Sequence, residues 1–164
     1  MKKSWLDIIQ SVVIIAGIVI ALIQLDLQNK TLEATREIES GKFILEFSRN
    51  LASDRYAALR SAIEDHDENF HILKTQGGKF SDSDLEDYLG NFESIGELET
   101  RKLIDLNMAY NEFSYAVEKT WCNRDIRSHV DATRKQSSYF FINFETLAHA
   151  FLKKDKIVDC GNLS

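Results

Sequence analysis

A charge-free apolar run near the start of the chain restricts its possible folds more than any other feature. Residues 8–25 read IIQSVVIIAGIVIALIQL, which is 18 residues without a charged side chain. As a helix this run is about 27 Å long, enough to cross the hydrocarbon core of a bilayer. A cleaved signal peptide is the main alternative, but its apolar part is usually shorter and ends at a small-residue cleavage site, and no clear site follows here. We therefore expect a retained transmembrane helix.

Small and polar residues recur along one face of this predicted helix. Gln10, Gly17 and Gln24 are spaced seven residues apart, and Thr31 continues the series. Ala21 follows Gly17 by four residues, and such small pairs let helix backbones approach closely in lipid. Buried glutamines also favour a partner helix over hydrocarbon. The pattern predicts self-association through this face. The alternative is that the pattern arises by chance and that the glutamines lie near the membrane–water interfaces. A further hypothesis is that the associated helices enclose a water-lined pore.

The rest of the chain has the composition of a helical domain. Proline is absent and glycine occurs only seven times, which favours long helices joined by short connections. Four stretches carry apolar side chains at helical spacing: 43–51, 85–98, 109–121 and 140–151. We predict an all-α fold, with one N-terminal transmembrane helix followed by a small helical bundle. The predicted boundaries are 1–40 for the transmembrane helix and its extension, 41–155 for the soluble domain and 156–164 for a polar tail.

Side chains that can cap free backbone N–H groups mark several helix starts. Ser53, Asp105 and Asn123 are predicted as single N-caps. Ser83 with Glu86 is predicted as a capping box, because the pair has the required spacing of three residues. A last helix is predicted to begin near residue 137 and to run to residue 154.

The two cysteines are far apart in the sequence. Cys122 and Cys160 form no CxxC pair, and a disulfide scaffold or a zinc site usually has a higher density of cysteine. We therefore predict two free thiols in a reducing compartment.

No stretch has the pattern of an enzyme active site. The histidines form no HExxH motif, the glycine pair at 77–78 lacks the Lys-Ser/Thr of a phosphate loop, and no serine lies in a GxSxG motif. The acidic cluster at residues 65–68 is interpreted as a solvated surface. We expect a non-enzymatic protein without a catalytic residue, metal or cofactor. The net charge of −6 argues against binding to duplex nucleic acid.

Charge is distributed unevenly along the predicted domain. Residues 82–99 contain seven acids and no base, whereas residues 119–135 contain five bases and two acids. Guanidinium groups form forked hydrogen bonds with phosphate, and neighbouring aromatic rings can stack on bases. The candidate ligand-binding residues are Trp121, Arg124, Arg127, Arg134, Lys135 and Tyr139. They predict a site for a small anionic nucleotide. The alternative is that the acidic and basic helices pair with each other.

Several segments together resemble a group of uncharacterised bacterial single-span proteins. They are the short span, FILEF, LASDRY, FESIGEL, AYNEF and a helix with tryptophan, and the likeness covers most of the chain. In size and layout the chain more loosely resembles the membrane effectors of type III CRISPR defence, in which a cytoplasmic domain binds cyclic oligoadenylate. That likeness implies a homo-oligomeric sensor-effector in antiviral defence that binds a cyclic oligonucleotide and disturbs the membrane. The alternative is a passive adaptor whose acidic helix recruits a basic protein.

The orientation in the membrane does not follow from the flanking charges. Lys2 and Lys3 precede the span, and Lys30, Arg36 and Lys42 follow it, so the positive-inside count is nearly equal on the two sides. Cysteine usage and the resemblance favour a cytoplasmic soluble domain anchored in a bacterial inner membrane.

Overall fold

The computed structural model of the protein describes residues 2–65, 71–157 and 160. Residues 66–68, which belong to the acidic cluster interpreted as a solvated surface, lie outside this part. The described residues form six α-helices and one 3₁₀ turn (Lys74–Gln76), without a β-strand. The helices are α1 (Lys2–Leu51), α2 (Asp54–Glu64), α3 (Asp82–Thr100), α4 (Leu106–Cys122), α5 (Arg124–Arg134) and α6 (Ile142–Lys154). The predicted all-α fold is confirmed.

The first helix contains the apolar run. By length and composition it is the one described helix that can cross a membrane, and none of its most apolar segment is buried within the protein. Ile14 and Leu22 are 54% and 64% exposed, although large aliphatic side chains in water are unfavourable by roughly 25 cal/mol for each Å² of apolar surface. A bilayer would remove this cost. Backbone contacts divide the chain into two compact units, one ending at Ile38 and the other beginning at Glu39.

The predicted packing face of the span is open in the single chain. Gln10, Gly17, Ala21 and Gln24 are all exposed, and a Cβ atom added at Gly17 would meet no other atom within 4 Å. A second helix could therefore approach this face closely in lipid. Self-association through it stays a prediction.

The second unit is a helical bundle in which α3 and α6 make the most extensive contact and α4 packs against α6, α5, α3 and α2. Most of the predicted core positions are buried, and Phe92 of α3, Val117 of α4 and Phe144 of α6 are among those that are entirely inaccessible. The others are partly buried against this core: Phe43, Ile44, Phe47, Leu98 and Phe140. Phe92 and Phe144 stack with their ring centroids 5.3 Å apart, and Trp121 meets the edge of Phe144 at 5.5 Å. This aromatic cluster joins three helices into one core.

Two of the predicted helix starts have the expected caps. The carboxylate of Asp105 accepts hydrogen bonds from the N–H groups of Asn107 and Met108, and the side chain of Asn123 caps α5 in the same way. Ser53 occupies the N-cap position of α2, but its side chain makes no capping hydrogen bond. The cap prediction is therefore right in position at all three sites and right in chemistry at two.

The predicted capping box of α3 is wrong by two residues. The helix is capped by Ser81 with Asp84 instead of Ser83 with Glu86, and the hydrogen bonds from Ser81 lower the pKa of Asp84. Both pairs have the same spacing. Just before Ser81, Phe80 is paired with an earlier segment: its N–H donates to the carbonyl of Ile72 and its carbonyl accepts from the N–H of Lys74. The helix begins directly after this pairing, with Ser81 in the extended conformation of an N-cap.

The last helix begins later than predicted, at Ile142. Phe141, just before it, has a left-handed backbone with a φ of 53°. The missing N-cap comes from another helix: the Glu93 carboxylate of α3 accepts from the backbone N–H groups of Asn143 (3.3 Å) and Phe144 (2.8 Å). A helix capped from a distant segment carries no local sequence signal, which explains the error.

The prediction of two free thiols is also wrong. Cys122, at the end of α4, forms a disulfide with Cys160 in the segment after α6, with their Cα atoms 5.1 Å apart. The sequence separation of 38 residues hid this proximity, because α5 and α6 form a loop that returns the chain to the end of α4. In the chain-entropy account, closing a loop of this length stabilises the fold by about 4 kcal/mol. Part of the predicted polar tail is thereby tied to the bundle.

Two glycines of α3 provide a direct test of the contact between α3 and α6. A Cβ atom at Gly96 would clash with the backbone carbonyl of Asn143, whereas one at Gly90 would meet nothing within 4 Å. We expect Gly96→Ala to destabilise the domain by about 1–3 kcal/mol through overpacking. We expect Gly90→Ala to stabilise it by up to about 1 kcal/mol through helix propensity. Denaturant unfolding of the full chain in detergent micelles measures both, and equal shifts in the two variants would contradict the close approach.

Candidate anion-binding pocket

A pocket of about 430 Å³ opens where the end of α4, the middle of α5 and the end of α6 meet the segment after α6. Its lining residues come from all four of these parts of the bundle. They are Trp121, Arg127, His149, Leu152, Lys153, Lys156, Ile157 and Cys160. The volume lies in the lower part of the range of small-molecule sites, about 300–1,000 Å³.

The pocket is cationic. Arg127, Lys153 and Lys156 line it together, and no carboxylate is among its described lining residues. None of these three cations forms an ion pair within the part of the chain that the structure describes. The contact of Arg127 Nη1 with Cys160 Sγ, at 3.8 Å, is a weak one. Three positive charges beside one cavity favour an anion there.

One wall of the pocket is flat, apolar and rigid. Trp121 is only 7% exposed, because its ring is held edge-on between Phe144 and His149, with centroids 5.5 Å from each. Leu152 and the half-buried Ile157 extend the apolar surface. The pocket thus combines cations, which suit phosphate or carboxylate groups, with an apolar wall that suits a flat organic group.

The structure brings only two of the six candidate residues, Trp121 and Arg127, to this pocket. Arg134 is engaged elsewhere. Its Nε and Nη2 atoms donate to the carbonyls of Phe140 (2.8 Å) and Phe141 (3.1 Å), and its Nη1 atom pairs with Glu145 at 2.8 Å. Arg134 therefore holds the turn between α5 and α6, a role in the fold that occupies the whole guanidinium.

The other three candidates lie on the surface outside the pocket. Arg124 and Lys135 are exposed, and Tyr139 is 78% exposed. The sequence suggested one site along the basic stretch of residues 119–135, but in the bundle only Arg127, in the middle of α5, lines the cavity.

Sequence reasoning missed most of the pocket. His149, Lys153 and Lys156 were not predicted, although the four-residue spacing of His149 and Lys153 places them on one face of α6. That face is beside Trp121, as the ring contact with His149 shows. Cys160 was missed because its disulfide was not foreseen.

The acidic helix α3 has partners within the domain for each of its seven acids. Two act as structural caps: the Asp84 carboxylate accepts from the backbone N–H of Ser81 at the start of α3, and the Glu93 carboxylate caps α6. The other five contact neighbouring side chains: Asp82 with Thr75, Glu86 with His129, Asp87 with Arg55, Glu97 with Arg101 and Glu99 with Lys102. Among these contacts of the described residues, α3 is joined to α5 through His129, which lies 3.2 Å from Glu86 and 4.0 Å from Asp82. The arginines of α5 are therefore not the partners of the acidic helix in these ion pairs.

A second group of titratable side chains joins α4 to the end of α6. Glu118 is buried, and burial together with the neighbouring Asp155 raises its pKa to about 7. One of its carboxylate oxygens has no hydrogen-bond partner among the described residues. The Tyr110 hydroxyl donates to Asp155, which raises the pKa of Tyr110. Lys154 lies 3.8 Å from the centroid of the Tyr110 ring.

The raised pKa of Glu118 predicts a pH-dependent stability. The folded state retains a proton on Glu118 that the unfolded chain releases near its ordinary pKa of 4.5. The stabilisation is therefore complete below about pH 4.5 and is lost as the pH rises towards 7. We expect Glu118→Gln to flatten this slope and to be more stable than the parent at pH 8. Denaturant midpoints at pH 5, 6, 7 and 8 measure the effect, with Glu112→Gln as the control for losing one negative charge from α4. An unchanged slope in Glu118→Gln would contradict the assignment.

Comparison with known proteins gives one family match. Residues 11–151 match DUF4760, a domain of unknown function, and this range includes most of the apolar run and the bundle up to Phe151. No match to a curated protein or to a solved structure was found. Lys153, Lys156 and Cys160 lie beyond the matched range, so the family match covers only part of the pocket. Because the match includes most of the chain, this protein belongs to the DUF4760 family.

Proposed function

We propose that this protein is a membrane-anchored, non-enzymatic sensor-effector whose helical domain binds a small anionic ligand. The single observation that carries the proposal is the pocket, where Arg127, Lys153 and Lys156 meet the apolar wall of Trp121. The three cations have no ion-pair partner among the described residues, so a bound anion would supply the missing countercharge.

The shape and charge of the pocket restrict its ligand. A guanidinium and two ammonium groups suit a ligand with two or three negative charges, and the rigid indole suits a flat or apolar group beside them. A volume of about 430 Å³ suits a ligand about the size of one nucleotide. A cyclic oligonucleotide, which the sequence led us to expect, would have to be shared between subunits and would require a domain that faces the cytosol.

The membrane part of the proposal is a homo-oligomer in a bacterial inner membrane. Identical chains associate through the face that includes Gly17 and Ala21, and ligand binding changes how the spans pack. Such coupling requires the ligand to bind two arrangements of the protein with different affinities. The small side chains of Gly17 and Ala21 support the first step of this mechanism, because they let a second helix approach closely.

The alternative function, a passive adaptor that recruits a basic protein, depends on the acids of α3. Each of these acids already has a partner within the domain, such as Arg55 for Asp87 and Arg101 for Glu97. Recruitment through α3 would have to break these contacts. The adaptor therefore has less structural support than the anion-binding protein.

The pocket charges can be tested with two matched double variants. Arg127→Gln with Lys153→Gln removes two cations of the pocket, and Arg124→Gln with Lys135→Gln removes two cations from the surface outside it. A charge-assisted hydrogen bond contributes about 1.5–3 kcal/mol, so we expect the pocket variant to bind anions at least tenfold more weakly and the surface variant to bind like the parent.

Calorimetric titration of the full chain in detergent measures this with pyrophosphate, AMP and cyclic tetra-adenylate as probes. Binding should also weaken as the salt concentration rises, because ions screen exposed charges. Equal losses in the two double variants would show a general charge effect and contradict the site. Absence of saturable binding to any of these probes would reject the proposed ligand class.

The packing face of the span is tested by enlarging its small residues. We expect Gly17→Leu with Ala21→Leu to weaken self-association, because the larger side chains separate the helix backbones. Ala16→Leu, about 100° around the helix from Gly17, is the control and should leave association unchanged. Chemical cross-linking in native membranes measures the oligomer. If the double variant cross-links as well as the parent, the helix is a simple anchor.

A further inference from the structure

The Cys122–Cys160 disulfide bears on which side of the membrane the soluble domain occupies. These are the only two cysteines in the chain, and they bond to each other. Disulfides persist in oxidising compartments, whereas cytosolic thiols are kept reduced. The expectation of a cytoplasmic domain depended partly on two free thiols. Because the two cysteines are bonded to each other, they no longer support it.

We propose that the soluble domain faces an oxidising compartment across the membrane from the cytosol, where the disulfide completes the wall of the anion pocket. The proposed side of the membrane is inferred from the disulfide and not from the pocket. The role of the disulfide in the wall of the pocket rests on the proposed function. In this orientation Lys2 and Lys3 stay on the cytosolic side, which the positive-inside rule allows.

The bond forms by thiol–disulfide exchange. The thiols of Cys122 and Cys160 lose two protons and two electrons, and a disulfide of an oxidant protein in that compartment accepts them and becomes a dithiol. The attacking thiolate first forms a mixed disulfide with the oxidant, and the second cysteine then displaces the oxidant's thiol. All protons and electrons of this exchange are accounted for by the two cysteines and the oxidant protein.

The disulfide matters to the pocket because of where the chain runs after α6. The helix ends at Lys154, and Lys156 has a left-handed backbone with a φ of 59°. The N–H of Ile157 donates to the carbonyl of Leu152 at 2.9 Å, and Cys160 is then bonded to α4. Lys156, Ile157 and Cys160 all line the pocket. Without the disulfide, this wall would be held by the backbone hydrogen bond and packing of Ile157 and by the weak contact of Arg127 with Cys160 Sγ.

This orientation changes which ligand can reach the site. A cyclic oligonucleotide made in the cytosol would not meet a domain on the opposite side of the membrane. The ligand would instead be an anion of the oxidising compartment, with the same chemistry of two or three negative charges and a flat or apolar group.

The side of the membrane is tested by thiol labelling of the full chain in spheroplasts of a bacterial host. A membrane-impermeant maleimide of high mass is added before and after an impermeant reductant, and the gel shift counts the labelled thiols. We expect no label before reduction and two labels after it. Two labels after lysis without reductant would overturn the disulfide, and labelling that requires permeabilised membranes would overturn the orientation.

A single-cysteine variant makes the test of orientation independent of the disulfide. Cys122→Ser leaves Cys160 as a lone thiol, which we expect to be labelled from outside without a reductant. Labelling of this variant only after the membrane is permeabilised would place the domain in the cytosol.

The role of the disulfide in the pocket is tested by binding. We expect Cys122→Ser with Cys160→Ser to bind pyrophosphate at least tenfold more weakly than the parent in detergent. An unchanged affinity would show that the disulfide is not needed for the wall of the pocket. It would not affect the orientation, which the labelling experiment tests. If the parent binds no pyrophosphate, the proposed function fails with this probe, and the labelling result still decides the orientation.

Discussion

The close contact between α3 and α6 is the constraint on which the rest of the bundle depends. Gly96 lets the backbone of α3 approach the carbonyl of Asn143, and Glu93 of the same helix caps the first N–H groups of α6. One turn of α3 before Gly96, the ring of Phe92 stacks on Phe144. Side-chain size, a carboxylate and an aromatic pair thus determine where α6 begins and how it lies. The position of Lys153 and the path of the chain towards Cys160 follow from that.

The charges of the domain divide into those used by the fold and those left over. The acids of α3 cap helices or pair with nearby side chains, and Arg134 holds the turn before α6. Arg127, Lys153 and Lys156 have no such partner among the described residues and lie around one cavity. A protein with a net charge of −6 can therefore present a local cationic site, because the electrostatic field in a pocket depends on the groups that line it.

The disulfide bears both on the structure of the pocket and on the side of the membrane proposed for the domain. It places Cys160 in the wall of the cavity and excludes the free thiols on which a cytosolic assignment relied. Together with the apolar helix, it supports the proposal of a membrane protein whose soluble domain lies on the oxidising side. The proposed ligand must be present on the side of the membrane where the domain lies. Measuring the orientation therefore also restricts the ligands that can reach the pocket.

Local patterns in the sequence determined the secondary structure, the apolar span, the buried faces of α3, α4 and α6, and the caps at Asp105 and Asn123. Periodicity and capping act over a few residues, so one sequence is enough to reveal them. Tertiary structure alone decided the start of α6, the choice of Ser81 over Ser83, the disulfide and the membership of the pocket. The start of α6, the disulfide and the pocket depend on groups far apart in the chain, such as Glu93 with Asn143 or Cys122 with Cys160. The cap at Ser81 accompanies backbone pairing between Phe80 and Lys74, which are six residues apart. The charge-free run of 18 consecutive residues was enough to predict a helix that can span a membrane, but only the packing of helices could bring Trp121, Arg127 and Lys153 to one cavity.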